Sequence, residues 1–105
     1  MRVELLYADG DPAAMPARQN LVEVLTEDAF ETPIQMIAVA SETDAELLGM
    51  RGSPMIRIDG VDIDPEWAGP IGLASRAYGG VSVPAKPLIR RAVERARGWG
   101  HGRRA

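Results

Sequence analysis

The residues in this sequence that could do chemistry are carboxylates, hydroxyls and guanidinium groups, because the chain has no cysteine. Without a thiolate, thiol–disulfide exchange and a Cys/His zinc site are both excluded. Asp11 stands directly before Pro12 at the predicted start of a helix, where negative charge is stabilised. It is predicted either to cap that helix or to anchor a cationic group of a ligand. Because the helix start favours the charged carboxylate, the anchor is a better functional interpretation than a general base.

Three short stretches supply the candidate binding residues, and no catalytic residue is identified. They are Asp11, Pro12 and Met15 in the first stretch, Ser53 and Pro54 in the second, and Ser75, Arg76 and Tyr78 in the third. Together with Tyr7 and Trp67, the third stretch and Met15 are expected to form the wall of a small pocket. The alternative is that the aromatic side chains close one edge of a small core.

The sequence predicts no metal and no cofactor. The aspartates at positions 9, 11, 59, 62 and 64 lack the spacing of a calcium-binding loop. The glycines match no phosphate-binding motif. His101 is the only histidine and lies in the predicted C-terminal tail, so a Ser/His/Asp triad is not expected.

Composition predicts one domain of 105 residues, with 46% hydrophobic and 26% charged side chains. No leader-like segment or long apolar run is evident, so a cytoplasmic location without membrane contact is expected. Most basic residues follow position 85, whereas nearly all acidic residues precede it. The basic segment is interpreted as a solvated helix face with a disordered tail at 98–105, and no nucleic-acid partner is expected.

The first half of the chain predicts a β-α-β unit. Residues 3–8 alternate and fill both faces, as in an interior strand, and a helix is predicted from about Pro12 to about Asp28. Residues 34–39 are almost entirely apolar, which predicts a second strand buried on both faces and parallel to the first.

The second half predicts a short helix, a hairpin and a final helix. Ser41 and Gly49 are the cap residues of the short helix, and Asp59-Gly60 is the turn between two alternating runs. Residues 64–83 are expected to be irregular, with one helical turn over 72–78. The final amphipathic helix begins near residue 85 and ends at Gly98.

This order, β-α-β-α-β-β-α with a proline directly before the third strand, resembles a thioredoxin-like fold over residues 1–97. Four stretches are similar to a family of short bacterial thioredoxin-like proteins. They are Leu5-Leu6-Tyr7, Asp9-Gly10-Asp11-Pro12, Ser53-Pro54-Met55 before Asp59-Gly60, and Gly72-Leu73-Ala74-Ser75-Arg76-Ala77-Tyr78. The resemblance implies an α/β domain with a mixed four-stranded sheet flanked by helices. It also implies a cis Ser53–Pro54 bond.

The resemblance places Asp11, Ala14 and Ser75 where the family has thiols, so neither redox activity nor thiol-dependent alkylmercury cleavage is expected. It further implies that the Ser53 backbone pairs with an extended peptide ligand. The leading interpretation is a redox-inactive protein that binds a peptide segment or a small molecule near Asp11 and the Ser53-Pro54 loop. One alternative is a non-redox enzyme that uses Asp11 with Ser75 or Tyr78. The other is a structural protein that forms a homodimer through the fourth strand or the last helix.

Overall fold

A computed structural model describes residues 1–28 and 31–98, and over these ranges the chain forms six strands and three helices. In chain order they are β1 (Val3–Ala8), α1 (Ala14–Glu27), β2 (Ile34–Val39), α2 (Glu42–Leu48), β3 (Arg51–Ser53), β4 (Met55–Ile58), β5 (Val61–Asp62), β6 (Gly72–Ser75) and α3 (Lys86–Arg97). The predicted β-α-β unit, hairpin and final helix are present.

The main sheet has four strands in the order β2-β1-β4-β5. Its first pair is parallel, with Val3 opposite Ile34, whereas β1 and β4 are antiparallel, with Val3 opposite Ile58. The predicted Asp59-Gly60 turn joins β4 to β5 in an antiparallel hairpin. The expectation of an α/β domain with a mixed four-stranded sheet is therefore confirmed.

Apolar side chains alternate to the two faces of β1, and a separate cluster covers each face. Val3 and Leu5 pack beneath α1 and α3, in the cluster that contains Leu21 and Ile89. Leu6 points to the opposite face and packs with residues of β2, α2 and β4. Each of these side chains is at most 1% exposed, so the sheet lies between two helical layers, as an interior β1 requires.

The helix ends follow the predicted capping chemistry at most positions. The Ser41 hydroxyl accepts the Asp44 amide at 3.1 Å, and Gly49 ends α2 in the left-handed conformation with φ of 66°. Gly98 ends α3 in the same way. The predicted start of α1 at Pro12 is wrong by two residues, because α1 begins at Ala14.

Two further predictions need correction. The prediction that the second strand is buried on both faces is wrong, because β2 is an outer strand of the sheet and its side chains at Gln35 and Ala38 are exposed. Residues 72–75 form strand β6, which pairs in parallel with β3 as a separate two-stranded sheet, so the predicted helical turn at the start of that stretch is wrong. The residues of β6 show no clear alternation of apolar and polar side chains. Contacts with residues far along the chain hold this strand in place.

The Ser53–Pro54 peptide bond is cis, as the resemblance implies. In the described ranges no helix is long and apolar enough to span a membrane. The predicted disordered tail at 98–105 lies outside the described residues from position 99 onward.

Candidate functional site

Asp11 lies in the turn between β1 and α1, and both of its carboxylate oxygens have partners. Oδ1 accepts the Ala13 amide at 2.9 Å, which closes a short turn before the helix. The N-cap position of α1 is Ala13, which has no side-chain cap. Asp11 therefore shapes the approach to the helix without being its N-cap, and its second oxygen points away from the turn.

Ser53 connects that second oxygen to the sheet. Its hydroxyl donates to Asp11 Oδ2 at 2.5 Å and accepts the Ala8 amide at 2.8 Å. The residue is only 3% exposed. The Ser53 hydroxyl therefore serves as a positioning group that fixes the Asp11 carboxylate, since it donates its single proton to that carboxylate and is itself held by the Ala8 amide.

A cleft of about 250 Å³ opens over this pair. It is lined by Asp11, Pro12, Ala13, Ser53, Ser75, Ser82 and Val83. These side chains comprise one carboxylate, three hydroxyls and apolar surface, with no cation among the described lining residues. The cleft is therefore suited to a ligand that brings a positive charge or several hydrogen-bond donors.

The Asp11 carboxylate can accept further hydrogen bonds from such a ligand. An ionised carboxylate offers about four lone-pair sites, and among the described residues the Asp11 carboxylate accepts two hydrogen bonds. Its side chain is partly exposed, so a ligand can reach it without unfolding the loop.

Ser75 reaches the cleft because Arg76 anchors the end of β6. The Arg76 guanidinium is buried and donates to both oxygens of Asp62, at 2.7 and 2.8 Å. It also donates to the carbonyls of Arg51 at 3.0 Å and Asp64 at 2.9 Å. Arg76 therefore joins β3, β5 and β6, and it is a structural residue rather than part of the cleft wall.

Two aromatic side chains complete this anchor. The Arg76 guanidinium lies 4.6 Å from the Trp67 ring and 4.8 Å from the Tyr78 ring. The Tyr78 hydroxyl donates to the Pro54 carbonyl at 2.5 Å. Burial raises the pKa of Tyr78, and its phenol stays protonated in the folded chain. The alternative that these aromatics close an edge of the core is the one the structure supports.

The predicted binding residues therefore divide into two groups. Asp11, Pro12, Ser53 and Ser75 line the cleft together. Pro54, Arg76 and Tyr78 are buried behind it, and Met15 is 62% exposed on α1 outside the lining. Tyr7 packs half-buried against the core.

Ser82 and Val83, which follow β6 in the chain, also line the cleft and were not predicted from the sequence. This chain turns back at Gly79-Gly80, where Tyr78 and Val81 form an antiparallel bridge. A Gly-Gly pair between two bridged residues is a known signature of a tight hairpin turn. That dipeptide was the available signal that residue 82 returns toward residue 75.

Other features of the described residues offer less chemistry. A groove of about 310 Å³ between β5 and the end of α3 is mostly apolar and contains none of the predicted site residues. No group of three histidine, aspartate or glutamate side chains within 1–28 and 31–98 is arranged to hold a metal ion. His101 lies outside the described residues.

A scan of protein-family models, a search of curated proteins and a search of solved structures each find no match for this chain. The resemblance to thioredoxin-like proteins therefore rests on the residues of the chain alone.

Proposed function

We propose that this chain is a redox-inactive, thioredoxin-like binding protein that holds a small cationic ligand against Asp11. The observation that carries the proposal is the fixed Asp11–Ser53 pair at the floor of a cleft that has no cation of its own among the described residues. The class of ligand is a small amine or guanidine with additional hydrogen-bonding groups. The lining hydroxyls at Ser75 and Ser82 are suited to those additional groups.

Three features support the thioredoxin-like part of the proposal. The first two strands are parallel and joined by a helix, and the antiparallel β4–β5 hairpin continues the sheet. A cis-proline immediately precedes β4. Asp11 and Ser75, which replace the thiols in the stretches that carry the resemblance, line the same cleft.

The pairing of β6 favours a small molecule over an extended peptide. A peptide ligand of the kind that the resemblance implies would pair with the backbone of Ser53. Here the Ser53 carbonyl accepts the Arg76 amide at 2.9 Å, and Ser75 lies opposite Ser53 in the β3–β6 pair. Strand β6 therefore occupies the position that such a peptide would take, and the remaining cleft is small.

No observation favours the enzymatic alternative to the same degree. Tyr78 faces the Pro54 carbonyl rather than the cleft, and its phenol is held in the protonated form. Ser53 is buried and fully engaged with Ala8 and Asp11. Ser75 lines the cleft, but among the described residues its hydroxyl has no hydrogen bond to the Asp11 carboxylate or to another base that would activate it.

A thermal-shift screen against a panel of small amines, amino acids and guanidines tests the proposal. A ligand at ten times its dissociation constant stabilises the native state by about 1.4 kcal/mol, which raises the Tm of a domain this size by roughly 5–10 °C. We expect Asp11→Asn to abolish the shift, because it keeps an acceptor for the Ala13 amide and removes the charge.

Asp9→Asn is the matched control, since Asp9 is an exposed carboxylate in the same loop and does not line the cleft. This variant should retain the full shift. Loss of the shift in both variants would mean that the general negative charge of the loop attracts the ligand. Absence of any shift with the native chain would refute a cationic ligand.

A further inference from the structure

The outer edge of β2 differs from the opposite edge of the main sheet. The sheet ends on one side at β2, with six residues, and on the other at β5, with two. An unpaired strand edge presents amide and carbonyl groups that another strand can bind, and short edges limit this tendency. Among the described residues no strand pairs with the outer side of β2.

The hydrogen bond at the end of β2 establishes which backbone groups face outward. The Val39 carbonyl accepts the Asp9 amide at 3.2 Å, so Val39 faces β1. Backbone groups alternate in direction along a strand, so Ile34, Met36 and Ala38 present their amides and carbonyls to the outer side. These are three donors and three acceptors on one straight edge, because the register with β1 is continuous from Val3 to Ala8.

Within Ile34–Val39 the strand carries none of the usual sequence features that prevent pairing. Between Glu31 and Glu42 no residue is charged, although charged residues make up 26% of the chain. Natural outer strands usually carry lysine, an interior proline or a bulge, and β2 has none of these. Ile34, Met36 and Ile37 are only partly buried in the isolated chain.

We propose that β2 pairs antiparallel with β2 of a second copy across a two-fold axis at Met36. A two-fold axis perpendicular to the sheet keeps each side chain on its own face. An even-numbered residue of one copy therefore pairs with an even-numbered residue of the other. Met36 then lies opposite Met36 of the second copy, and Ile34 lies opposite Ala38. All of these residues have outward-facing backbone groups, so the pairing forms six hydrogen bonds and leaves no outward group of the strand unused.

A second copy is a better occupant of this edge than a foreign strand. The symmetric register places Ile34 and Met36 of both copies in one layer that continues the apolar cluster beneath α1 and α3. On the opposite face the same register places Ile37 of each copy opposite the aliphatic part of Gln35 of the other. No residue between Glu31 and Glu42 is charged, so this pairing brings no like charges of the two strands together.

Sedimentation equilibrium and amide hydrogen exchange test the pairing. We expect the mass to change from one chain to two between about 10 µM and about 1 mM, with at least tenfold slower exchange of the Ile34, Met36 and Ala38 amides at the higher concentration. Ala38→Lys should weaken association at least tenfold, because Ala38 is exposed and its new charge would lie beside Ile34 of the second copy.

Val61→Lys is the matched control at the opposite edge, where Val61 is 57% exposed. It should leave the association unchanged. A single-chain mass at about 1 mM would overturn the proposal, as would equal weakening by both lysine variants. Amide hydrogen exchange of the native chain tests the pairing even if Ala38→Lys fails to fold. Fast exchange of the Ile34, Met36 and Ala38 amides at high protein concentration would contradict the pairing.

Discussion

Replacing Arg76 with methionine should destabilise this domain more than replacing any arginine at the surface with methionine. The Arg76 side chain is 0% exposed and that of Asp62 is 7% exposed, so their ion pair is removed from water. Methionine fills much of the same volume but leaves the Asp62 carboxylate with the Asp64 amide as its remaining hydrogen-bond donor among the described contacts. The substitution also removes the partners of two backbone carbonyls.

The expected cost follows from that geometry. Breaking a buried ion pair by removing one partner costs about 3–5 kcal/mol, because a buried charge loses its compensation. We therefore expect Arg76→Met to lower the free energy of unfolding by about 4 kcal/mol, a large part of the total stability of such a domain. The Tm should fall by roughly 20 °C. Asp62→Asn alone should cost about 3 kcal/mol, since it leaves the buried guanidinium without a counterion.

Urea unfolding followed by circular dichroism measures these values. The double variant Arg76→Met/Asp62→Asn should cost about 2 kcal/mol less than the sum of the single variants, because neither charge is then left alone. Arg2→Met is the control: its side chain is 60% exposed, and its loss should cost less than about 1 kcal/mol. A cost below 1 kcal/mol for Arg76→Met, or strict additivity in the double variant, would refute the structural role of this pair.

Three further substitutions test the backbone and the packing around the cleft. Gly52 has φ of 81°, and an added Cβ would lie 2.9 Å from the Trp67 ring, so Gly52→Ala should cost roughly 2–4 kcal/mol in urea unfolding. Gly10→Ala, with φ of 83° in open space, should cost only about 1 kcal/mol, and equal costs would argue against the contact. The third substitution, Tyr7→Phe, leaves Tyr78 as the single tyrosine. Because the pKa of Tyr78 is raised in the folded chain, the protonated phenol favours the folded state below the ordinary tyrosine pKa. This contribution to stability is lost as the pH rises. Absorbance at about 295 nm should therefore rise only with alkaline unfolding, and ionisation in the folded chain near pH 10 would contradict the buried hydroxyl.

Much of the fold was predictable because its signals are local. The Asp59-Gly60 turn and the caps Ser41 and Gly49 act within a few residues of themselves, and all three take their predicted roles. The outer position of β2 and the exposure of Gln35 and Ala38 were not predictable from its apolar composition, because the order of strands in a sheet is set by pairing between residues far apart in the chain. Strand β6 depends on contacts between residues far apart in sequence, which no local pattern reveals.

The site was predictable only in part for the same reason. The resemblance brought Asp11, Ser53 and Ser75 together as candidates, and they line one cleft. Arg76 belongs to the same stretch of sequence as Ser75 but points into the core, and the sequence does not distinguish a binding arginine from one that pairs with a buried aspartate. Ser82 required the Gly79-Gly80 turn to be recognised.

The most direct test of the central claim is to map the bound ligand on the chain by nuclear magnetic resonance. The amine with the largest thermal shift would be titrated into the isotope-labelled native chain while the backbone amides are followed. We expect perturbed amides at Asp11, Ser53, Ser75 and Ser82, and no perturbation at these positions in Asp11→Asn. Perturbation confined to the groove between β5 and α3, or unchanged binding by Asp11→Asn, would contradict it.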